Sequence, residues 1–322
     1  MRRLNIVLAF AISAFLLQPH SVYAQNKKAT ISQAFQSILY LPLYVAIDEG
    51  LFTKAGLDIT KETAGAPSAA LSAVISGSAQ FSLHGPEWTA IAASKGAPVQ
   101  IVSNCVNGAA VWIATAPDFD FKDISSVKGQ TIVTGTMPTT STSLFMKLLK
   151  EKGIDPDKDI KMVQVPIGSE IGAFMAGQGK IAVMYEPGLD QAVLKGMKVV
   201  FGFPKEYGAY AFSAITVRKD ADADTVQRFV NAMQAAIVLM KKDPAKAIEI
   251  AKKEFPQLDG TVVEAATKRM IAEGVYPESV EITPEALKVG LNTQIFLGNL
   301  KAQPEYGSFV AHSFIEKALA GQ

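Results

Sequence analysis

The sequence predicts an α/β protein of two lobes, joined by two extended crossovers, with a ligand cleft between the lobes. Three observations lead there. Strand-like and helix-like segments alternate from residue 29 onward, the pattern of βα units with mostly parallel pairing in a doubly wound sheet. A polar stretch at 118–128 interrupts the alternation, and the pattern then restarts. From Asp222 the chain reads as almost wholly helical, so the second run of βα units is inserted into a discontinuous first lobe.

Residues 29–35 read as a strand and 41–52 as a helix, with Gly50 and Gly56 punctuating its end. Next come a strand at 57–62 and a helix at 68–76, whose Leu71, Val74 and Ile75 share one face. A strand at 80–83, a helix at 88–94 and a long apolar run at 99–115 complete the first unit. In the second, strands at 131–134, 161–165 and 181–184 alternate with helices at 143–152, 170–176 and 188–194, and strands return at 199–203 and 211–217. Val226, Phe229, Val230, Met233, Ile237 and Met240 then follow the i, i+3, i+4, i+7 spacing of a core-facing helix. Crossovers near 114–117 and 207–213 assign 25–115 and 212–322 to lobe 1 and 116–211 to lobe 2.

Residues 1–24 have the parts of a secretory signal peptide: basic Arg2 and Arg3, an apolar run at 6–17, and the small-residue site Val22-Tyr23-Ala24. The run is shorter than the ~20 residues of a spanning helix. Cleavage after Ala24 predicts a soluble periplasmic protein beginning at Gln25. Its loss of Arg2 and Arg3 takes basic residues from 31 to 29 against 30 acidic ones, so the formal charge passes from +1 to −1. Such a balance makes no case for nucleic acid or an anionic membrane as partner. The single Cys105 excludes an intrachain disulfide and, within an apolar run, reads as an inert buried thiol.

The loops after the strands are the most informative feature. They are Gln36-Ser37-Ile38-Leu39-Tyr40-Leu41-Pro42, Gly65-Ala66-Pro67-Ser68, His84-Gly85-Pro86-Glu87, the run from Gly135 through Thr136, Thr139, Thr140 and Ser141 to Ser143, Gly168-Ser169-Glu170, and Tyr185-Glu186-Pro187-Gly188. Proline and serine are good helix starters, which accounts for any one loop. Together they bring polar and aromatic groups to the carboxyl ends of strands, where open α/β sheets bind ligands.

The run from Leu43 to Ile59, Leu-Tyr-Val-Ala-Ile-Asp-Glu-Gly-Leu-Phe-Thr-Lys-Ala-Gly-Leu-Asp-Ile, resembles the opening helix of periplasmic substrate-binding proteins of the nitrate/sulfonate/taurine and thiamine-precursor group, NMT1/THI5-like and SsuA-like. Met184-Tyr185-Glu186-Pro187-Gly188 resembles the group's aromatic-x-Pro turn, and 77–81 its approach to the third strand. The resemblance implies a type II periplasmic binding-protein fold. It also implies a monomeric solute receptor of an ABC importer that closes on a small molecule and docks on a membrane permease, without cofactor or metal. The group's pyrimidine-forming enzyme has a cysteine-rich motif and uses histidine chemistry. This chain has one cysteine and, after cleavage, only His84 and His312, which argues against that branch.

The expected ligand contacts are Ser37, Tyr40, Pro67, Ser68, His84, Glu87, Thr136, Thr139, Thr140, Ser141, Tyr185, Glu186 and Tyr210. For His84 a catalytic base lacks a nucleophile elbow and a zinc site lacks ligands beyond Glu87. Ligand contact and structural cap both stand, and the sheet-edge position favours contact. Trp88 and Trp112 read as packing as readily as lining, and Tyr207 sits beside Tyr210 at the second crossover. None of the six loops has lysine or arginine, whereas Glu87, Glu170 and Glu186 lie in or at the end of three. Glu170 fits a solvent-facing helix start. A buried Glu186 needs a donor or cation as partner. The favoured ligand is neutral or amine-bearing, such as a pyrimidine-like heteroaromatic. A sulfonate or carboxylate held by hydroxyls and backbone N–H groups, or a pyrimidine-synthase-like enzyme, is the alternative.

Overall fold

The computed structural model describes residues 25–321, so the expected signal peptide lies outside the described residues. Among the described residues ten strands form two sheets. They are β1 (Lys27–Gln33), β2 (Leu57–Thr63), β3 (Phe81–His84), β4 (Val99–Gly108), β5 (Trp112–Thr115), β6 (Thr131–Gly135), β7 (Lys161–Val165), β8 (Ile181–Met184), β9 (Lys198–Gly202) and β10 (Ala209–Arg218). The first sheet has the order β2-β1-β3-β10-β4 and the second β7-β6-β8-β5-β9.

Pairing departs from the mostly parallel expectation in the same way in both sheets. β1 pairs in parallel with β2 and β3, and β6 with β7 and β8. β10 is antiparallel to β3 and β4, and β5 to β8 and β9. The antiparallel strand is each time the one arriving from the other sheet, so it enters against the local strand direction.

The apolar run expected as one segment at 99–115 is two strands in different sheets. Ala110 N–H donates to Gly108 O and Val111 N–H to Ala109 O, both at 2.7 Å, which turns the chain at 109–111. A Cβ on Gly108 would stand 3.0 Å from the Val275 Cα, so glycine lets the turn press against that backbone. Residues 112–115 therefore pair in the second sheet and 209–211 in the first, opposite to the expected limits at 115 and 212. The expected helix at 41–52 breaks at Gly50, whose φ of 62° is left-handed, into Leu41–Asp48 and Leu51–Lys54.

The tail is helical as its periodicity predicts. Helix Ala223–Lys242 buries the whole stripe from Val226 to Met240, and Phe229 stacks on Phe81 of β3 with centroids 3.9 Å apart. Each such side chain contributes about 1.5–3 kcal/mol on burial. This clamps the helix onto the first sheet and holds the loops at its edge in fixed positions.

Candidate functional site

His84 ends β3 and is fully buried. Its Nδ1 lies 2.9 Å from the Gly85 carbonyl and its Nε2 3.0 Å from Ser82 Oγ. A carbonyl only accepts, so Nδ1 carries the proton and Nε2 accepts from the Ser82 hydroxyl. Burial lowers the imidazole to about 4. Neither nitrogen is left for a ligand, and the expected contact is replaced by a neutral histidine that braces the turn into the next helix.

That turn serves Glu87 instead. Its carboxylate folds back over Gly85, where any Cβ would collide with both carboxylate oxygens. It accepts a 2.6 Å hydrogen bond from Thr140 Oγ, which belongs to the helix after β6 in the second sheet. The two sheets thus meet at Glu87 and Thr140. They meet again where Ser37 Oγ donates to the Glu186 carbonyl at 2.6 Å, and where the Phe35 ring sits 5.4 Å from those of both Tyr40 and Tyr185. Ser37 Oγ also accepts from Leu39 N–H at 3.3 Å, so its hydroxyl is spent on the clasp and its own turn.

Glu170, expected at the surface, is 2% exposed. Its carboxylate stands over Gly135 at the end of β6: a Cβ there would lie 3.1 Å from Glu170 Oε1, 3.1 Å from Thr139 Oγ1 and 3.5 Å from Ser141 Oγ. Glu170 Oε1 and Ser141 Oγ are buried without a hydrogen-bond partner among the described residues. Ser141 N–H is satisfied, donating to Tyr185 Oη at 3.0 Å. Burial raises both Glu87 and Glu170 to about 7, and neither forms an ion pair with a described lysine, arginine or histidine. Glu170 also lines a cavity of about 180 Å³ with Phe35, Gln36, Tyr185, Phe255 and Leu258.

Glu186 is arranged otherwise than expected. Its carboxylate is buried, but Arg269 Nε donates to Oε1 at 2.9 Å and Asp190 N–H to Oε2 at 3.0 Å, while a second Arg269 nitrogen reaches Asp190 Oδ1 at 2.7 Å. Burial and then Asp190 push Glu186 well above the usual carboxylate range, and Arg269 opposes them. The partner expected from a ligand is therefore Arg269, from helix Gly260–Ala272. Nothing local in the sequence marks it.

The remaining expected contacts divide. Thr139, Thr140, Ser141, Tyr185 and Tyr40 are buried around the meeting of the sheets, although Thr139 Oγ1 is engaged with Thr142 at 3.3 Å. Tyr210 is buried behind them, its hydroxyl 3.5 Å from Thr293 Oγ1, with its ring centroid 5.9 Å from that of Phe212. Ser68 and Thr136 are exposed, and Pro67 is the buried first residue of a helix on the β2 side. Trp112 is fully buried with Nε1 donating to Glu273 at 2.9 Å. Tyr207 bonds Glu151 at 3.0 Å. Among the described residues no three His, Cys, Asp or Glu side chains are grouped to hold a metal ion.

Comparison with known proteins places this geometry in context. The chain is 26% identical over 286 residues to the protein named "Putative binding protein YtlA" of Bacillus subtilis (strain 168), covering 85% of this chain and 86% of that one. Its fold matches the alkanesulfonate-binding protein SsuA from Xanthomonas axonopodis pv. citri, solved with MOPS, at a TM-score of 0.71 and 18% identity over 92% of this chain and 98% of that one. It also matches the desulfurization enzyme DSZB at a TM-score of 0.68 and 12% identity, over 92% and 99% of the two chains. The fold is that of the two-lobed type II periplasmic binding proteins, and it carries both a receptor and an enzyme. The family model described as NMT1/THI5 like matches residues 38–247, so the chain belongs to the NMT1/THI5-like family.

Proposed function

We propose that the protein is an extracytoplasmic receptor of an ABC importer that closes its two lobes on a small amine-bearing or N–H-rich organic solute and delivers it to a membrane permease. One observation carries the ligand class: Glu87 from the first-sheet side and Glu170 from the second are buried acids without a cationic partner. A buried carboxylate without a counter-ion is costly, and a ligand donor at Glu170 would remove that cost. A cavity of about 180 Å³ beside Glu170 is comparable with the ~150 Å³ that holds a benzene ring, which suits a single ring such as an aminopyrimidine. Contacts reaching both lobes would shift the population toward the closed form.

The likeness to SsuA favours a sulfonate as second reading, held by hydroxyls and N–H groups. Against it, Thr140 Oγ is committed to Glu87 and Thr139 Oγ to Thr142. Against catalysis stand a His84 with both nitrogens occupied and a buried Cys105 thiol pushed up by desolvation. The test is native mass spectrometry of protein taken from the periplasm without dialysis. A stoichiometric nitrogenous solute, released unchanged, is the expected result. A sulfonate overturns the ligand class, and a chemically altered product overturns the receptor.

A further inference from the structure

The start of helix Thr140–Glu151 is where an anion would be expected to bind. Its first N–H groups have no intrahelical partner, and its dipole is positive at that end. Here the negative group is supplied by the chain itself. Glu170 comes from a different βα unit, yet its Oε1 stands beside Thr139 Oγ1 and Ser141 Oγ, over the bare Cα of Gly135. Side chains larger than hydrogen at 135 would push that carboxylate away, because their Cβ would sit 3.1 Å from two of the oxygens. Glu170 Oε1 and Ser141 Oγ are nevertheless unpartnered and almost wholly buried. The carboxylate thus stands close to that helix start while its Oε1 receives no donor among the described residues.

We propose that Glu170, seated by Gly135 at the start of helix Thr140–Glu151, is the specificity gate of the cleft: it rejects anionic solutes and selects those presenting an amino group to Glu170 Oε1 and Ser141 Oγ. A sulfonate or carboxylate reaching this helix start meets a like charge in a poorly solvated place, whereas an ammonium or aryl amino group meets two empty acceptors. Gly135 has no positive φ, so its role is space rather than backbone freedom, and an alanine there would make the Glu170 carboxylate or the Thr139 hydroxyl give by a few tenths of an ångström. The inference deepens the receptor reading and rests on it.

The test uses matched probes that differ in charge: benzylamine, 4-aminopyrimidine and the unsubstituted pyrimidine on one side, taurine and MOPS on the other. Binding is read by calorimetry on the whole exported protein, emptied by partial unfolding and refolding. The wild type should bind an aminated member at least 10-fold more tightly than pyrimidine, and neither sulfonate. Glu170→Gln should abolish that preference and gain measurable MOPS or taurine binding, and Gly135→Ala should weaken the aminated probe 10-fold or more. Far-UV circular dichroism and melting temperature show that each variant is folded. Should Glu170→Gln not fold, Gly135→Ala and Ser141→Ala carry the test. A wild type that binds a sulfonate, or variants with unchanged preference, overturns the gate while leaving the receptor standing. A wild type that binds no probe overturns the gate, and the receptor falls with it only if nothing co-purifies.

Discussion

Replacing Arg269 by methionine tests how the segments carrying Glu186 and Asp190 are held to helix Gly260–Ala272. The arginine is 24% exposed along its side chain, whereas Glu186 and Asp190 are 0% and 4% exposed. Methionine keeps most of the apolar stem and removes the charge, leaving two neighbouring buried carboxyls without a counter-ion; Asp190 Oδ2 already lacks a hydrogen-bond partner. Breaking a buried pair by removing one member costs about 3–5 kcal/mol. For a chain of roughly 300 residues that corresponds to a melting temperature lower by about 5–8 °C. The loss should depend on pH. Without Arg269, which opposes the effect of burial, the folded-state pKa of Glu186 rises further. A carboxyl raised in the fold contributes fully below its unfolded value and loses that contribution as pH climbs through the folded value. The deficit should therefore be full at pH 8 and shrink toward pH 4. Calorimetric melts of the wild type, Arg269→Met and Arg269→Met/Asp190→Asn across that range measure it, and the double variant should recover part of the loss. A deficit under about 1 kcal/mol, the worth of an exposed pair, or one independent of pH, would refute the reasoning.

Glu87 and Glu170, raised by burial to about 7, give an opposite pair of trends. The melting temperature of the empty protein should fall as pH rises from 5 to 8, because acids raised in the fold lose their contribution there; affinity for a cationic amine should rise over the same range as the carboxyls ionise, and calorimetry at fixed ionic strength reads both. His84→Ala should lower the melting temperature without changing affinity between pH 6 and 8, since the imidazole is already neutral and both its nitrogens are hydrogen-bonded to Ser82 and Gly85; an affinity loss in a folded variant would return it to the site. Cys105 should not react with a thiol reagent until the protein is unfolded, being fully buried with its thiol pushed up by desolvation, and native-state labelling faster than unfolding would contradict that burial.

Short-range patterns made much of this molecule legible in its sequence. The stripe from Val226 to Met240 needs only helical spacing, and the βα alternation needs only composition and punctuation, so both emerge from neighbours in the chain. The absence of lysine and arginine from the six loops, with acids in or at the end of three of them, is the sequence feature on which the proposal of a donor-bearing ligand rests. His84 could have been read more closely: Ser82 lies two residues before it on a strand, and alternate strand residues share a face. Which acids are buried without a cation was decided only in three dimensions. Glu186 reads as the acid in need of a partner until Arg269, 83 residues away, is brought to it, and Glu170 reads as a surface helix start until the end of β6 is placed beneath it. Likewise, nothing local distinguishes Val99–Gly108 from Trp112–Thr115, because the turn between them is set by a Gly108 pressed against the Val275 backbone. Charge, periodicity and turn chemistry are properties of nearby residues and can be read along the chain. Burial and partnership of a carboxyl depend on chain segments far apart in sequence, and only the packed structure assigns them.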